Sequence, residues 1–283
     1  RDKGIGRTDG ADVPALLHED AEEMWKYLTD NAPDTAAFAP FLCENDFHNY
    51  KAVLKGIIRG REYESLLILP ASVELHVLEK AVKEKRFDLL PDYMQKPAAE
   101  AYEVLAQSGD SQLADCIIDA GCMSAQTLLA EKSKNTVIKD LITVSVFYKN
   151  IKAALRAAKT GRSAQFIEST LTETGVVSKK AMVTAALGGE EKVLELLCKA
   201  VTVGGAEAAE AYKKSPGDFE KYADNRLLST AKRCKYITIG IEPLIGYMLA
   251  RKAQITDLQI IYSGVKTGQS SDKTLERLRE LYG

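Results

Sequence analysis

The sequence predicts an all-α protein, and three observations carry that expectation. Ala, Leu, Lys and Glu dominate, while 8 Pro and 19 Gly punctuate 283 residues, a balance that favours helix. Apolar residues recur at helical spacing through the segments described below. Strand signals are almost absent: there is no Asn-Gly hairpin turn, and Ile237-Thr238-Ile239 is too short to count.

A repeat organises the chain. NYKAVLKGIIRG from Asn49 to Gly60, NIKAALRAAKTG from Asn150 to Gly161, and DLQIIYSGVKTG from Asp257 to Gly268 align without gaps. The first two share Asn, Lys, Ala, Leu and the closing Gly; the last two share Lys-Thr-Gly. Length alone suggests about two domains, but this recurrence predicts three related units, at 1–85, 86–188 and 189–283.

Taken in order, each element has a local reason. Trp25, the only tryptophan, sits in AEEMWKYL beside Met24, Tyr27 and Leu28, where packing is the default role. The first repeat carries Phe47, Tyr50, Leu54, Ile57 and Ile58 on one helical face. The second carries Val144, Phe147, Ile151, Leu155 and Ala158, and the third Leu258, Ile261, Tyr262 and Val265. Each stripe stops at a glycine, the residue that best tolerates the left-handed turn past a helix. Ser72, Ser178 and Ser271 are expected helix caps. Gly109, Gly188-Gly189 and Gly204-Gly205 read as turns, and Glu190-Glu191 as acids placed at a helix start. Pro243 suits a first helical turn, with Glu242 expected to cap it.

The chemistry this sequence excludes is extensive. Against 40 acidic residues stand 38 basic ones, a formal charge of -2, which removes the general argument for nucleic acid or anionic lipid. Five cysteines without a CxxC pair, and three histidines, speak against a disulfide framework or a metal site. No phosphate-binding loop, nucleophile elbow or metalloprotease pair occurs. The expectation is therefore no catalytic residue, no cofactor and no metal. The most apolar stretch, Ile237 to Ala250, is broken by Glu242 and Pro243 and falls short of a membrane span. The Gly-rich opening, RDKGIGRTDG, lacks an initiator Met, so part of the natural N-terminus is expected to be missing.

Charged positions supply the interface candidates. Lys51, Lys55 and Arg59 share one helical face, and Lys152 and Arg156 repeat the arrangement, which suits an acidic partner. The competing explanation is that basic groups near a helix C-terminus are favoured by the dipole and that solvated faces are charged anyway. His48 reads as a polar group at the edge of the core. A generic helical-repeat scaffold is the alternative function, though its repeats are usually far shorter. An all-α enzyme using Glu242 or His48 lacks a second convergent polar group.

Two stretches resemble a known family. Asp224 to Gly268 presents an aspartate-led helix (Asp224, Asn225), a short apolar link, a Glu242-Pro243-Leu244-Ile245 helix start and a basic turn from Arg251. Asp46-Phe47-His48-Asn49 leads into a Lys- and Leu-rich helix. Together with the terminal LERLRELYG they resemble the C subunit of the V/A-type rotary ATPases, whose counterpart in eukaryotic proton pumps is the d subunit. The resemblance covers roughly Ala21 to Gly283. It implies three helical units around a pseudo-threefold funnel or socket, and a non-catalytic rotor part on the cytoplasmic side of the membrane. Such a part joins the D and F shaft subunits to the membrane proteolipid ring and has no transmembrane span of its own. Its work is mechanical. One charge falling through 100 mV releases about 2.3 kcal/mol, a sizeable share of a domain's stability of roughly 5–15 kcal/mol, so load has to be spread over broad interfaces. The interface candidates are thus Lys51, Lys55, Arg59, Lys152, Arg156, Glu242 and Arg251.

Overall fold

The computed structural model describes residues 12–283. The Gly-rich opening tract, with the expectation attached to it, lies outside the described residues. Among those described, the chain is helical and carries no strand. The helices are α1 (Val13–Asn31), α2 (Ala39–Arg59), α3 (Leu75–Lys83), α4 (Asp92–Ser108), α5 (Ser111–Lys132), α6 (Thr136–Lys159) and α7 (Ala164–Thr170). They continue with α8 (Lys179–Leu187), α9 (Glu190–Cys198), α10 (Gly205–Lys214), α11 (Pro216–Ala231), α12 (Glu242–Lys266) and α13 (Ser271–Glu276).

By packing, these helices form two compact units: Ala36–Glu207, and residues 12–35 together with Ala208–Gly283. The division falls inside α10. It is a grouping by contact and differs in kind from the three units of similarity expected at 1–85, 86–188 and 189–283.

The larger unit is built on α5, which packs against α2, α4, α6 and α7. By length and composition α5 is apolar enough to cross a bilayer. Its apolar residues Ile117, Ile118, Met123 and Ala125 are instead buried against protein, as expected of a central core helix. Gly121 of α5 lets α4 come close: a Cβ there would stand 2.5 Å from the Pro97 Cβ. Tyr50 of α2 is fully buried and donates its hydroxyl to the Ala98 carbonyl at 2.8 Å.

The smaller unit pairs α1 with α12. Leu17, Met24, Trp25 and Leu28 form the buried face of α1, so Trp25 packs as expected. The Tyr27 and Tyr247 rings lie 5.2 Å apart, and the Lys252 ammonium sits 5.6 Å from the Trp25 ring centre. The segment after α13 is tied down by Asp224 and Asn225, the pair that opens the family-like stretch. Arg279 donates to the Asp224 carboxylate at 2.6 and 2.9 Å, and the Glu280 N–H donates to Asn225 at 2.9 Å.

One local device recurs at all three repeats. Gly60, Gly161 and Gly268 have φ of 61°, 61° and 67°. The next residue's N–H then reaches back to the carbonyl of residue 56, 157 or 264, at 2.9, 3.1 and 2.8 Å, closing the helix end as a Schellman turn. The first residue of each repeat grips the backbone that returns along the helix. Asn49 exchanges two hydrogen bonds with Ile68, Asn150 does the same with Thr172, and Asp257 accepts from the Arg279 N–H.

Several local expectations are corrected. Ser72 caps nothing: α3 begins at Leu75 after Glu74, without a side-chain cap. The cause is Asp46, whose Oδ1 accepts from the Ser72 and Val73 N–H groups at 2.7 and 3.0 Å and holds both residues outside the helix. Ser271 is the first residue of α13, not its cap. That helix stops at Glu276, and beyond it the Arg279 and Glu280 N–H groups donate to Asp257 and Asn225 instead of to the helix. Glu242 is likewise the first residue of α12; Ile241 holds the cap position with no side-chain bond, and Pro243 lies in the first turn as expected. On the third stripe Ile261 and Val265 are exposed, and Ile260 and Gly264 are the buried positions. Ser178 does cap α8, and the acids Glu190 and Glu191 do open α9.

Candidate functional site: a charged groove between three helices

The basic stripe of α2 meets a matching stripe on α5. Lys51, Lys55 and Arg59 recur every four residues, and so do Asp119, Asp115 and Ser111 in the opposite chain direction. Antiparallel helices bring equal spacings into register. Lys51 Nζ lies 2.7 Å from Asp119 Oδ1, and Lys55 Nζ lies 2.6 Å from Asp115 Oδ2. Arg59 donates to the Ser111 hydroxyl. The sequence shows the basic half of this ladder plainly. The acidic half, in SQLADCIID, was legible too, as a four-residue recurrence on the next long helix pair.

Above the ladder opens a groove of about 540 Å³, lined mainly by α2, α5 and α6. Lys152 and Arg156 enter it from α6, both exposed, and Arg162 from the turn beyond. Arg162 donates to Gln112 of α5, and its guanidinium lies 4.7 Å from the Phe166 ring centre. At the inner end Lys149 joins all three helices: it donates to Glu44 of α2 and, at 3.1 Å, to Gln126 of α5. Gln126 in turn donates to the Pro40 carbonyl at 3.0 Å. Burial pulls the Lys149 ammonium down, but the neighbouring Glu44 charge and hydrogen bond outweigh it and hold the group above its ordinary value. Burial, reinforced by Asp119 and Asp115, pushes the Cys116 thiol up.

Beside the groove, α2 clasps the loop that follows it. Asn45 donates to the Pro70 carbonyl at 2.8 Å and His48 Nε2 donates to the Leu66 carbonyl at 2.9 Å. His48 is thus exposed and fastens the loop, where the sequence suggested a group at the edge of the core. Asp46 is fully buried; burial raises its carboxyl above the ordinary value, against the lowering pull of the Val73 and Ser72 N–H groups. Elsewhere, Arg251 is held within the smaller unit, donating to both Asp20 oxygens at 2.5 Å and to Gln254 at 2.7 Å. Glu242 stands in the first turn of α12 and raises the nearby Cys234 thiol, after burial.

Of the seven interface candidates, the fold thus brings Lys51, Lys152 and Arg156 to one groove, with Lys55 and Arg59 in the ladder beside it. Glu242 and Arg251 belong to the other unit. Among the described residues no cluster of three metal-ligating side chains occurs. What the arrangement does offer is a cluster of cationic side chains beside partly apolar surface.

The family described as ATP synthase (C/AC39) subunit matches residues 6–277. The C subunit of the V-type sodium ATPase of Enterococcus hirae is 22% identical over 278 residues, covering 96% of this chain and 83% of that protein.

Proposed function

Because this chain belongs to the ATP synthase (C/AC39) subunit family, we propose that it is a central-stalk rotor part that couples a rotating D and F shaft to a membrane proteolipid ring. Coarsely, it is a C subunit of a V-type ATPase, a peripheral part of a membrane complex. The observation that carries the finer proposal is the family match over nearly the whole chain. The recurring clasp at Asn49, Asn150 and Asp257 supports it, since a part that transmits torque has to resist local opening. The proposal includes three related units around a pseudo-threefold socket, with boundaries near 85 and 188, on the cytoplasmic face of the membrane. It is non-catalytic and needs no cofactor.

The seven interface candidates belong to this proposal. Lys51, Lys55, Arg59 and Arg251 hold Asp119, Asp115, Ser111 and Asp20 within the chain, so a partner meeting them has to compete with those groups.

The test is a pull-down of the folded chain against the purified shaft pair and, separately, the solubilised ring, at low and high salt. Binding to both, with no ATP hydrolysis by the isolated chain, is the expected result. Failure to bind either one overturns the rotor assignment.

A further inference from the structure

The link between α11 and α12 turns apolar side chains outward. Cys234 and Ile241 are buried in it, and between them Tyr236 and Ile239 are 87% and 88% exposed, the most exposed of the large apolar side chains among the described residues. The Ile237 N–H donates to the Cys234 carbonyl at 3.2 Å, and Gly240, with φ of 117°, leads the chain into α12. Leu281, also exposed, lies one residue from Tyr282, and the Lys235 ammonium stands 4.7 Å from the Tyr282 ring centre. Apolar residues scattered singly on a surface need no explanation. Here two share one turn and a third lies close by in the fold. Lys232, Arg233 and Lys235 precede them, and no acid occurs from Ala231 to Ile241. These cations have partners within the chain: Lys232 reaches Glu280 at 3.4 Å, and Arg233 is engaged as well. Lys235 is exposed and meets only an uncharged ring in its cation–π contact, so that contact leaves its charge in place.

We propose that this turn rests on an anionic phospholipid surface, with Tyr236 and Ile239 dipping into the headgroup layer and Lys235 meeting lipid phosphates. The residue types fit that layer. Tyrosine concentrates at the membrane–water interface, where its ring is covered and its hydroxyl stays wet. A lysine lays its alkyl stem along apolar surface while its ammonium reaches polar groups. The depth is limited, because an irregular backbone leaves polar groups unsatisfied in the hydrocarbon core. The attraction is local: the formal charge of -2 gives the chain as a whole none toward anionic lipid. A contact this small gains from tethering, since a chain already held in a membrane complex meets the bilayer at high effective concentration.

This inference rests on the reading of the chain as a peripheral part of a membrane complex, and the experiment separates the two. The purified full-length chain is floated with vesicles of phosphatidylcholine, with and without phosphatidylglycerol, at low salt and with lipid in large excess. Wild type is expected to float with the anionic vesicles, and raised salt should release it. Y236S/I239S is expected to lower the floated fraction about tenfold, through the apolar area it no longer buries. K235Q should lower it about fivefold, the effect of one cation near an anionic leaflet. All three positions are exposed, so helicity and the urea midpoint should match wild type, which controls for folding. If wild type stays in the soluble fraction, or Y236S/I239S floats as wild type does, the turn does not bind lipid and the proposal is overturned. The rotor assignment, read separately from the shaft and ring pull-downs, is untouched by that result. If wild type floats and the variants do not, but the pull-downs fail, the lipid contact stands and the rotor assignment falls.

Discussion

Asn150 holds Thr172 by both ends of its amide: Nδ2 donates to the Thr172 carbonyl at 2.9 Å and Oδ1 accepts from the Thr172 N–H at 3.1 Å, with both residues buried. Asn49 and Ile68 repeat the arrangement at 2.9 and 2.8 Å. A planar amide thereby stands in for a strand edge, satisfying a returning backbone that no strand among the described residues receives.

Asn150→Ala removes both partners of a buried peptide group, so it should cost about 2–3 kcal/mol of stability, the penalty for leaving such groups unsatisfied. Asn150→Asp keeps the acceptor and loses the donor, and should fall between. Urea unfolding of the three proteins checks the order; an alanine variant as stable as wild type would refute the clasp's importance.

Asp46 makes stability depend on pH. Its folded pKa is raised by burial, so the folded state holds the proton more tightly than the unfolded one. The resulting stabilisation is complete below the unfolded value of about 3.9 and is lost as pH rises through the folded value. Asp46→Asn keeps an acceptor for the Ser72 and Val73 N–H groups without a charge. Wild type should therefore lose ground against D46N as pH rises from 3 to 7, measured by denaturant unfolding at each pH. A constant difference would exclude this account.

The Lys51–Asp119 and Lys55–Asp115 pairs are partly exposed, so each should contribute only about 0.2–1 kcal/mol. Double-mutant cycles with K51M/D119L and K55M/D115L would measure the coupling. Raising salt to 1 M should reduce it further; a coupling of several kcal/mol would mean that the ladder is far better shielded than its exposure indicates.

Arg251→Lys keeps the charge but loses the fork that reaches both oxygens of Asp20. The loss should be about 1 kcal/mol, discounted because Arg251 is part-exposed. It should appear as faster hydrogen exchange in α1, with protection in α5 unchanged.

Much of this architecture was legible in the residues themselves. The glycine at each repeat end, the Ser178 cap and the acids at Glu190 and Glu191 all act through neighbours within a turn or two, so their spacing announces them. The shared Asn49 and Asn150 were visible as identities, but their partners lie 19 and 22 residues downstream in segments with no common pattern. Ser72 misled because a serine before an apolar run signals a cap only when its backbone is free, and Asp46 had already claimed it. The exposed Ile261 and Val265 show the limit of periodicity: it finds an apolar face but not whether anything within the chain covers it. The groove needed three helices in register, a relation that no single stretch encodes.

The pairing of α1 with α12 joins two elements made far apart in time. On the ribosome α1 emerges before α12, which waits for Ala32 to Ile241 to be translated, roughly 10–40 s at ordinary elongation rates. During that interval the Leu17, Met24, Trp25 and Leu28 face has no α12 to cover it, so this unit finishes folding only after α12 has been made.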